Sequence, residues 1–161
     1  MMRLVMRPRV AATAAALVVG GSLLTVVAGA SASGAGRKDT ATLYVAVTHS
    51  AGSTLYAAGS SADKVLGNGA ITYTIKAGLG AKPGTVKTAG TVVTYSTGGE
   101  LSGKVSGTET TNANGTVTQT GKFDFDKGTG TEKGHTYVGT YSGTGKTAEG
   151  PFVFHAKGTY K

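Results

Sequence analysis

The stretch "TYVGTYSGTGKTAEGPFVFHAKGTYK", residues 136–161, reads as two β-strands and the turn between them. Tyr137, Gly139, Tyr141 and Gly143 fall on one face of the first strand. In the second, Phe152, Phe154 and Ala156 alternate with Val153, His155 and Lys157. A period of two is the signature of a strand with one face buried. Glycines inside strands mark sharp bends or close backbone approach. Tyr137 and Tyr141 flank Gly139 on one face, where an aromatic ring covers bare backbone. Gly103 and Gly107 repeat the arrangement upstream. This pattern belongs to the corners of a closed barrel and favours that architecture over a two-sheet β-sandwich.

The same stretch contains "SGTGKT", residues 142–147, which has the look of a phosphate-binding loop. The full loop requires a glycine five residues before its Gly-Lys-Thr, with a helix starting there. That position is Thr140, and Gly139 comes one residue too early. The chain then turns at Gly150-Pro151 into a strand, so no helix dipole faces the site. The segment is read as a hairpin loop.

Working outward, the chain alternates repeatedly. Leu43, Val45 and Val47 share a face, as do Ile71, Tyr73 and Ile75, and Leu101 and Val105. Phe123 and Phe125 alternate with Lys122, Asp124 and Asp126. Eight strands are predicted, near 42–48, 53–58, 70–77, 85–97, 100–111, 116–126, 136–143 and 151–160. Asn114-Gly115 predicts a type I′ hairpin, Gly98-Gly99 a second turn and Lys82-Pro83-Gly84 a third. Residues 60–66, "SSADKVL", suggest one helical turn capped by Ser60 or Ser61. The fold expected is all-β: an eight-stranded antiparallel up-and-down barrel, with the sandwich as the alternative.

Ahead of the barrel, "MMRLVMRPRV" carries Arg3, Arg7 and Arg9, and an apolar run from Ala11 to Ala30 ends in small residues. Basic, apolar and small-residue regions in that order predict a secretory signal peptide over residues 1–32, cleaved after Ala32, with no membrane anchor left behind. Residues 33–41 are expected as a flexible arm and 42–161 as one domain. Cysteine is absent, which excludes disulfides, thiolate nucleophiles and Cys-based metal sites. The formal charge is +8 with the leader arginines and +5 without them. The lysines are scattered singly. No basic stripe interleaved with aromatics appears, so nucleic acid is not an expected partner. An anionic cell-envelope polymer is one candidate partner and a small apolar ligand inside the barrel is the other.

No catalytic motif stands out. There is no nucleophile elbow, since Ser142 in "GTYSG" directly precedes its glycine. His49, His135 and His155 lack metal-ligand spacing, and "DFDKGTGTE" departs from a calcium loop at its fifth position, Gly128, and its twelfth, His135. No cofactor or metal is expected. Glu100, Glu109, Asp124 and Asp126 are the carboxylates whose convergence would make an acid–base pair. As ligand-lining residues the sequence offers Tyr73, Phe123, Phe125, Tyr137, Tyr141, Phe152 and Phe154, with His135 at a barrel mouth; the competing role of the seven aromatics is plain core.

The segment "FDFDKGTGTEKGHTYVGTYSGT", residues 123–144, resembles the glycine-spaced turn and strand of the allene oxide cyclase and dirigent barrel superfamily, most closely at "GTGTEKG", 128–134. From Gly150 to Tyr160 the chain is similar to small exported bacterial proteins of unassigned function that end in a "G-x-F-x-F-x-x-K-G-x-Y" strand. The first resemblance implies an eight-stranded barrel whose apolar interior moulds an oxylipin or a phenolic radical with few catalytic side chains. No residue role transfers by position. Three functions therefore stand after the sequence: a non-enzymatic carrier, a cyclase- or isomerase-like enzyme, and a filled structural or adhesive envelope barrel.

Overall fold

The computed structural model describes residues 36–161, so the signal peptide, its cleavage site and the first residues of the arm lie outside the described residues. The described chain forms eight strands: β1 (Arg37–Ala51), β2 (Thr54–Asp63), β3 (Gly67–Leu79), β4 (Thr85–Ser96), β5 (Gly99–Thr111), β6 (Val117–Gly128), β7 (Tyr137–Gly145) and β8 (Phe152–Tyr160). Each pairs antiparallel with its sequence neighbour, and β8 pairs with β1 to close the barrel. The up-and-down barrel expected from the sequence is therefore the fold. Closure leaves no sheet edge unpaired.

The strands are strongly staggered. Paired residues followed once around the barrel from Val117 pass through Gly145, Phe152, Val45, Gly59, Ile71, Thr94 and Leu101. They return to β6 at Gly128, the far end of the same strand. Such stagger fixes the tilt and width of an eight-stranded barrel, whose interior just holds side chains or one small ligand.

Glycines and aromatics divide the inner wall of β5–β8 between them. Phe123 faces Gly139, Tyr141 faces Gly121, Phe154 faces Gly143 and Phe152 faces Gly145 across paired strands. Each ring lies where the opposite glycine has no side chain: a Cβ on Gly139 would come 2.7 Å from Phe123 Cζ. On β1–β4 the inner wall is aliphatic, with Leu43, Val45, Ile71 and Val92 buried. Ile71, Val92, Leu101 and Val117 are almost completely enclosed. Each contributes about 2 kcal/mol by burial, a sizeable share of a domain's net stability. Lys87, Lys104, Lys122, Asp124, His155 and Lys157 face outward and are exposed, the reverse of a membrane barrel's apolar girdle.

Four local expectations are corrected. Residues 37–41, expected in a flexible arm, are the start of β1 and pair with Ala156–Tyr160 of β8. The missed signal was Asp39-x-Ala41-x-Leu43, which continues the alternation of β1. Residues 60–66 form no helical turn, because β2 runs on to Asp63. The cap there is Asp63 rather than Ser60 or Ser61: its Oδ1 accepts from Val65 N (2.7 Å) and Leu66 N (2.8 Å). At Asn114-Gly115 only the glycine has positive φ, at 80°. The loop is thus a three-residue Ala113-Asn114-Gly115 connection closed by Gly115 N to Asn112 O, not a type I′ turn. Between β4 and β5 the two turn residues are Thr97 and Gly98, and Gly99 already pairs with Ser96.

Candidate functional site

The barrel encloses a cavity of about 100 Å³. It runs from Leu66, in the β2–β3 turn, to Ala148, in the β7–β8 loop, so both ends of the barrel contribute to its wall. Tyr73, Phe123, Phe125, Tyr137, Tyr141, Phe152 and Phe154 all line it. The structure thus brings together the seven aromatics singled out from the sequence. His135 is not among them. It sits in the β6–β7 connection, stacked on Tyr160 with ring centroids 4.9 Å apart, its Nδ1 2.9 Å from Lys161 O. The parity that pointed Tyr137 inward does not extend through the turn that carries His135.

Six of these rings pack into two groups. Phe123 meets Phe125 at 5.0 Å and Tyr137 at 4.7 Å between ring centroids, and Phe125 meets Tyr137 edge-on at 6.0 Å. Phe152 stacks on Phe154 at 5.5 Å, and Phe154 meets Tyr141 edge-on at 5.6 Å. Edge-on and offset contacts of this kind add to simple burial.

Besides the hydroxyls of Ser61, Thr88 and Thr94, carboxyl groups sit near these rings in two places. Around the starts of β1 and β7 and the end of β2, Asp39 and Tyr137 are 4 % and 3 % exposed, and Asp63 lines the cavity beside them. Asp39 Oδ1 accepts from Thr40 N at 2.7 Å. Asp39 Oδ2 and Tyr137 Oη are buried without a hydrogen-bond partner. Asp39 lies close enough to Tyr137 for its carboxyl to raise the phenol, yet Oδ2 and Oη do not meet hydrogen-bond geometry. Burial, and then Asp39 at its side, push the Asp63 carboxyl up to about 6, against the opposing pull of the Val65 and Leu66 N–H groups. No cation is among the groups acting on it. Burial first, and then the charges of Asp39 and Asp63, raise the Tyr137 phenol as well.

The second place is nearer the other turns. Glu109 of β5 is buried and accepts from Gln119 Nε2 of β6, and both line the cavity. Burial raises the Glu109 carboxyl and the Gln119 bond partly offsets this. Glu100, Asp124 and Asp126 are exposed, so the four carboxylates named from the sequence do not converge. The carboxylates that do meet are Asp39 and Asp63. Their signal was legible as parity: Asp39 shares a face with Leu43 and Val45, and Asp63 with Ala57 and Ser61. Assigning 33–41 to an arm and 60–66 to a helical turn removed both from view.

The "SGTGKT" segment ends β7 and enters the β7–β8 hairpin. Gly150 N donates to Thr147 O, Thr147 Oγ1 donates to Gly150 O, and Val47 N donates to Glu149 O. The loop is closed on itself and on β1, as a hairpin is. Among the described residues no three histidine, aspartate or glutamate side chains gather as a metal ion would require.

Comparison of the chain with protein-family models, curated proteins and solved structures finds no match.

Proposed function

We propose that the protein is an exported, non-enzymatic barrel that binds one small, largely apolar molecule in its interior. The observation that carries this reading is the cavity itself, walled by seven aromatic side chains, one of which, Tyr137, bears a buried hydroxyl without a hydrogen-bond partner. Small-molecule sites have this make-up: an apolar enclosure with a few convergent polar groups that orient the guest. A cavity of about 100 Å³ is smaller than an engineered cavity of roughly 150 Å³ that takes up benzene. The guest is therefore small. Native mass spectrometry of the protein purified from its own culture medium tests the reading. A reproducible added mass that leaves on denaturation supports it. A bare chain beginning at Ser33 supports export but shifts the role to the outer surface, as in a filled envelope barrel.

A second reading, a cyclase- or isomerase-like enzyme, is favoured by one observation. Asp63 presents to the cavity a carboxyl that titrates near 6, in the range useful for general acid–base work. Its test is the appearance of an equal-mass, chromatographically distinct product when the protein is incubated with an extract of its own culture, and the loss of that product in Asp63→Asn.

A further inference from the structure

The charged side chains of the barrel are sorted by sign. Among the described residues every lysine and the one arginine are exposed. The buried charged residues are Asp39, Glu109 and Glu132. Glu132 accepts from Tyr160 Oη at 2.7 Å, and Glu109 accepts from Gln119. Asp39 is the exception, with Oδ2 enclosed and unpaired beside the equally unpaired Tyr137 Oη. A carboxylate taken out of water beside a second carboxylate, with no cation supplied, is a costly arrangement. Asp63 serves its turn through Oδ1 alone, and asparagine would accept the same two N–H bonds.

We propose that the Asp63–Tyr137 end of the cavity, with Asp39 beside it, is a receptor for the protonated amino group of a small alkylamine, whose apolar body lies along the Phe123–Phe125 wall. The inference rests on the small-molecule reading above and names its ligand class. An ammonium carries three N–H donors and one positive charge. The site offers Asp39 Oδ2 and Tyr137 Oη as acceptors without partners, together with the Asp63 carboxyl, and it lacks one positive charge. Phe123 and Phe125 pack against the Tyr137 ring and so bring further aromatic surface next to the site, where a cation is favoured over an equally sized neutral group. Other ligand classes fit less well. An anion meets two carboxyls, a neutral alcohol leaves the charge uncompensated, and a divalent cation needs more oxygens than two carboxyls and a phenol supply. The cavity volume limits the body to roughly four or five carbons, by comparison with the benzene-sized case.

The experiment is a titration of the protein at pH 7.5 and low salt with n-butylammonium chloride and, separately, with 1-butanol. Binding is followed by the amide and ring signals of Tyr137, Phe123 and Phe125 in NMR. Butylammonium is expected to bind at least about tenfold more tightly than 1-butanol, the scale of one well-placed charge interaction. Sodium butyrate should not compete. In Asp39→Asn the preference should shrink to within about twofold while 1-butanol binding is kept, which also shows that the variant is folded. Asp63→Asn should lower the preference in the same direction and serves as the second variant. Equal binding of the amine and the alcohol by the wild type overturns the amine assignment and leaves the apolar-cavity reading standing. Failure of both probes to perturb the cavity signals overturns both. A preference that survives in both asparagine variants places the amine elsewhere and also overturns the proposal.

Discussion

The ring of Tyr141 fills the space that a side chain at Gly121 would occupy: a Cβ at Gly121 would lie 2.5 Å from both Cζ and Oη of Tyr141, and 2.2 Å from Ser106 O. The barrel wall and its aromatic lining are thus one construction. Strands come close where they carry glycine, and rings from the paired strand close the gap.

That construction predicts a sharp contrast between glycines. At Gly139 a Cβ would meet Lys157 O at 2.1 Å, a backbone atom that cannot step aside, so Gly139→Ala forces the β7–β8 pairing apart. A loss of about 2–4 kcal/mol is expected, at or beyond the upper end of ordinary overpacking. At Gly78 a Cβ would meet nothing within 4 Å, and the backbone there does not have positive φ. Gly78→Ala should be neutral or stabilising by up to about 1 kcal/mol through the unfolded chain. Urea unfolding of the two variants beside the wild type checks both. Equal effects would remove the link between glycine placement and strand approach.

The raised carboxyl of Asp63 gives stability a definite pH dependence. The folded value of about 6 lies above the ordinary 3.8, so the native state holds its proton longer than the unfolded chain does. Stability is therefore lost as pH rises from about 4 to about 6 and is flat above that window. Below it both states are protonated and no cost exists. Asp63→Asn removes the titration and keeps an acceptor for Val65 and Leu66 N–H. With allowance for solvent screening of a half-buried group, the variant should gain about 1–2 kcal/mol at pH 7.5 and nothing at pH 3.5. Calorimetry of both proteins across that range is the measurement; a gain that grows toward low pH would contradict the assignment.

The Glu109–Gln119 pair makes a separate prediction about partners. Gln119 Nε2 is the donor that Glu109 has in its buried position. Gln119→Met leaves the carboxylate without it and should destabilise the barrel by about 1–3 kcal/mol at neutral pH. Adding Glu109→Met should return most of the loss, because an apolar pair of similar volume replaces both polar groups. A double-mutant cycle by thermal unfolding measures the coupling. Strictly additive losses would mean that the bond contributes nothing.

Much of this was legible in the sequence, and the parts that were not have a common cause. Alternation at Leu43–Val47, Ile71–Ile75 and Phe152–Ala156 reports which face is buried, and in a closed barrel each buried face points to one interior. That is why seven aromatics named from parity alone line one cavity. Asp39 and Asp63 obeyed the same parity. Asp39 fell within the stretch read as a flexible arm and Asp63 within the turn read as helical from its Ser60 or Ser61 cap, and carboxylates are seldom buried unpaired. The local rule failed where the candidate binding site lies. His135 erred in the opposite direction: its neighbour Tyr137 points inward, but the 3-10 turn at Gly130–Glu132 and the bond between Thr136 N and Lys161 O set the path before the strand begins.

Tyr137 makes the clearest separation between folding and function. Its hydroxyl is buried, lacks a hydrogen-bond partner and lies beside two carboxyls. A phenol in that state contributes little to the folded chain and carries a desolvation cost of about 1–3 kcal/mol. The ring, in contrast, is held by Phe123, Phe125 and Tyr160. Tyr137→Phe keeps the ring contacts and removes the orphaned oxygen, so the variant should be as stable as the wild type or up to about 1 kcal/mol more stable. Its affinity for butylammonium should fall, while its affinity for 1-butanol stays within about twofold, because only the charged guest uses Oη as an acceptor. Thermal unfolding and the same NMR titration read the two effects independently. If the hydroxyl were structural, the variant would lose stability and both ligands would weaken together; a gain in stability paired with a selective loss of amine binding is the outcome expected of a group kept for its guest.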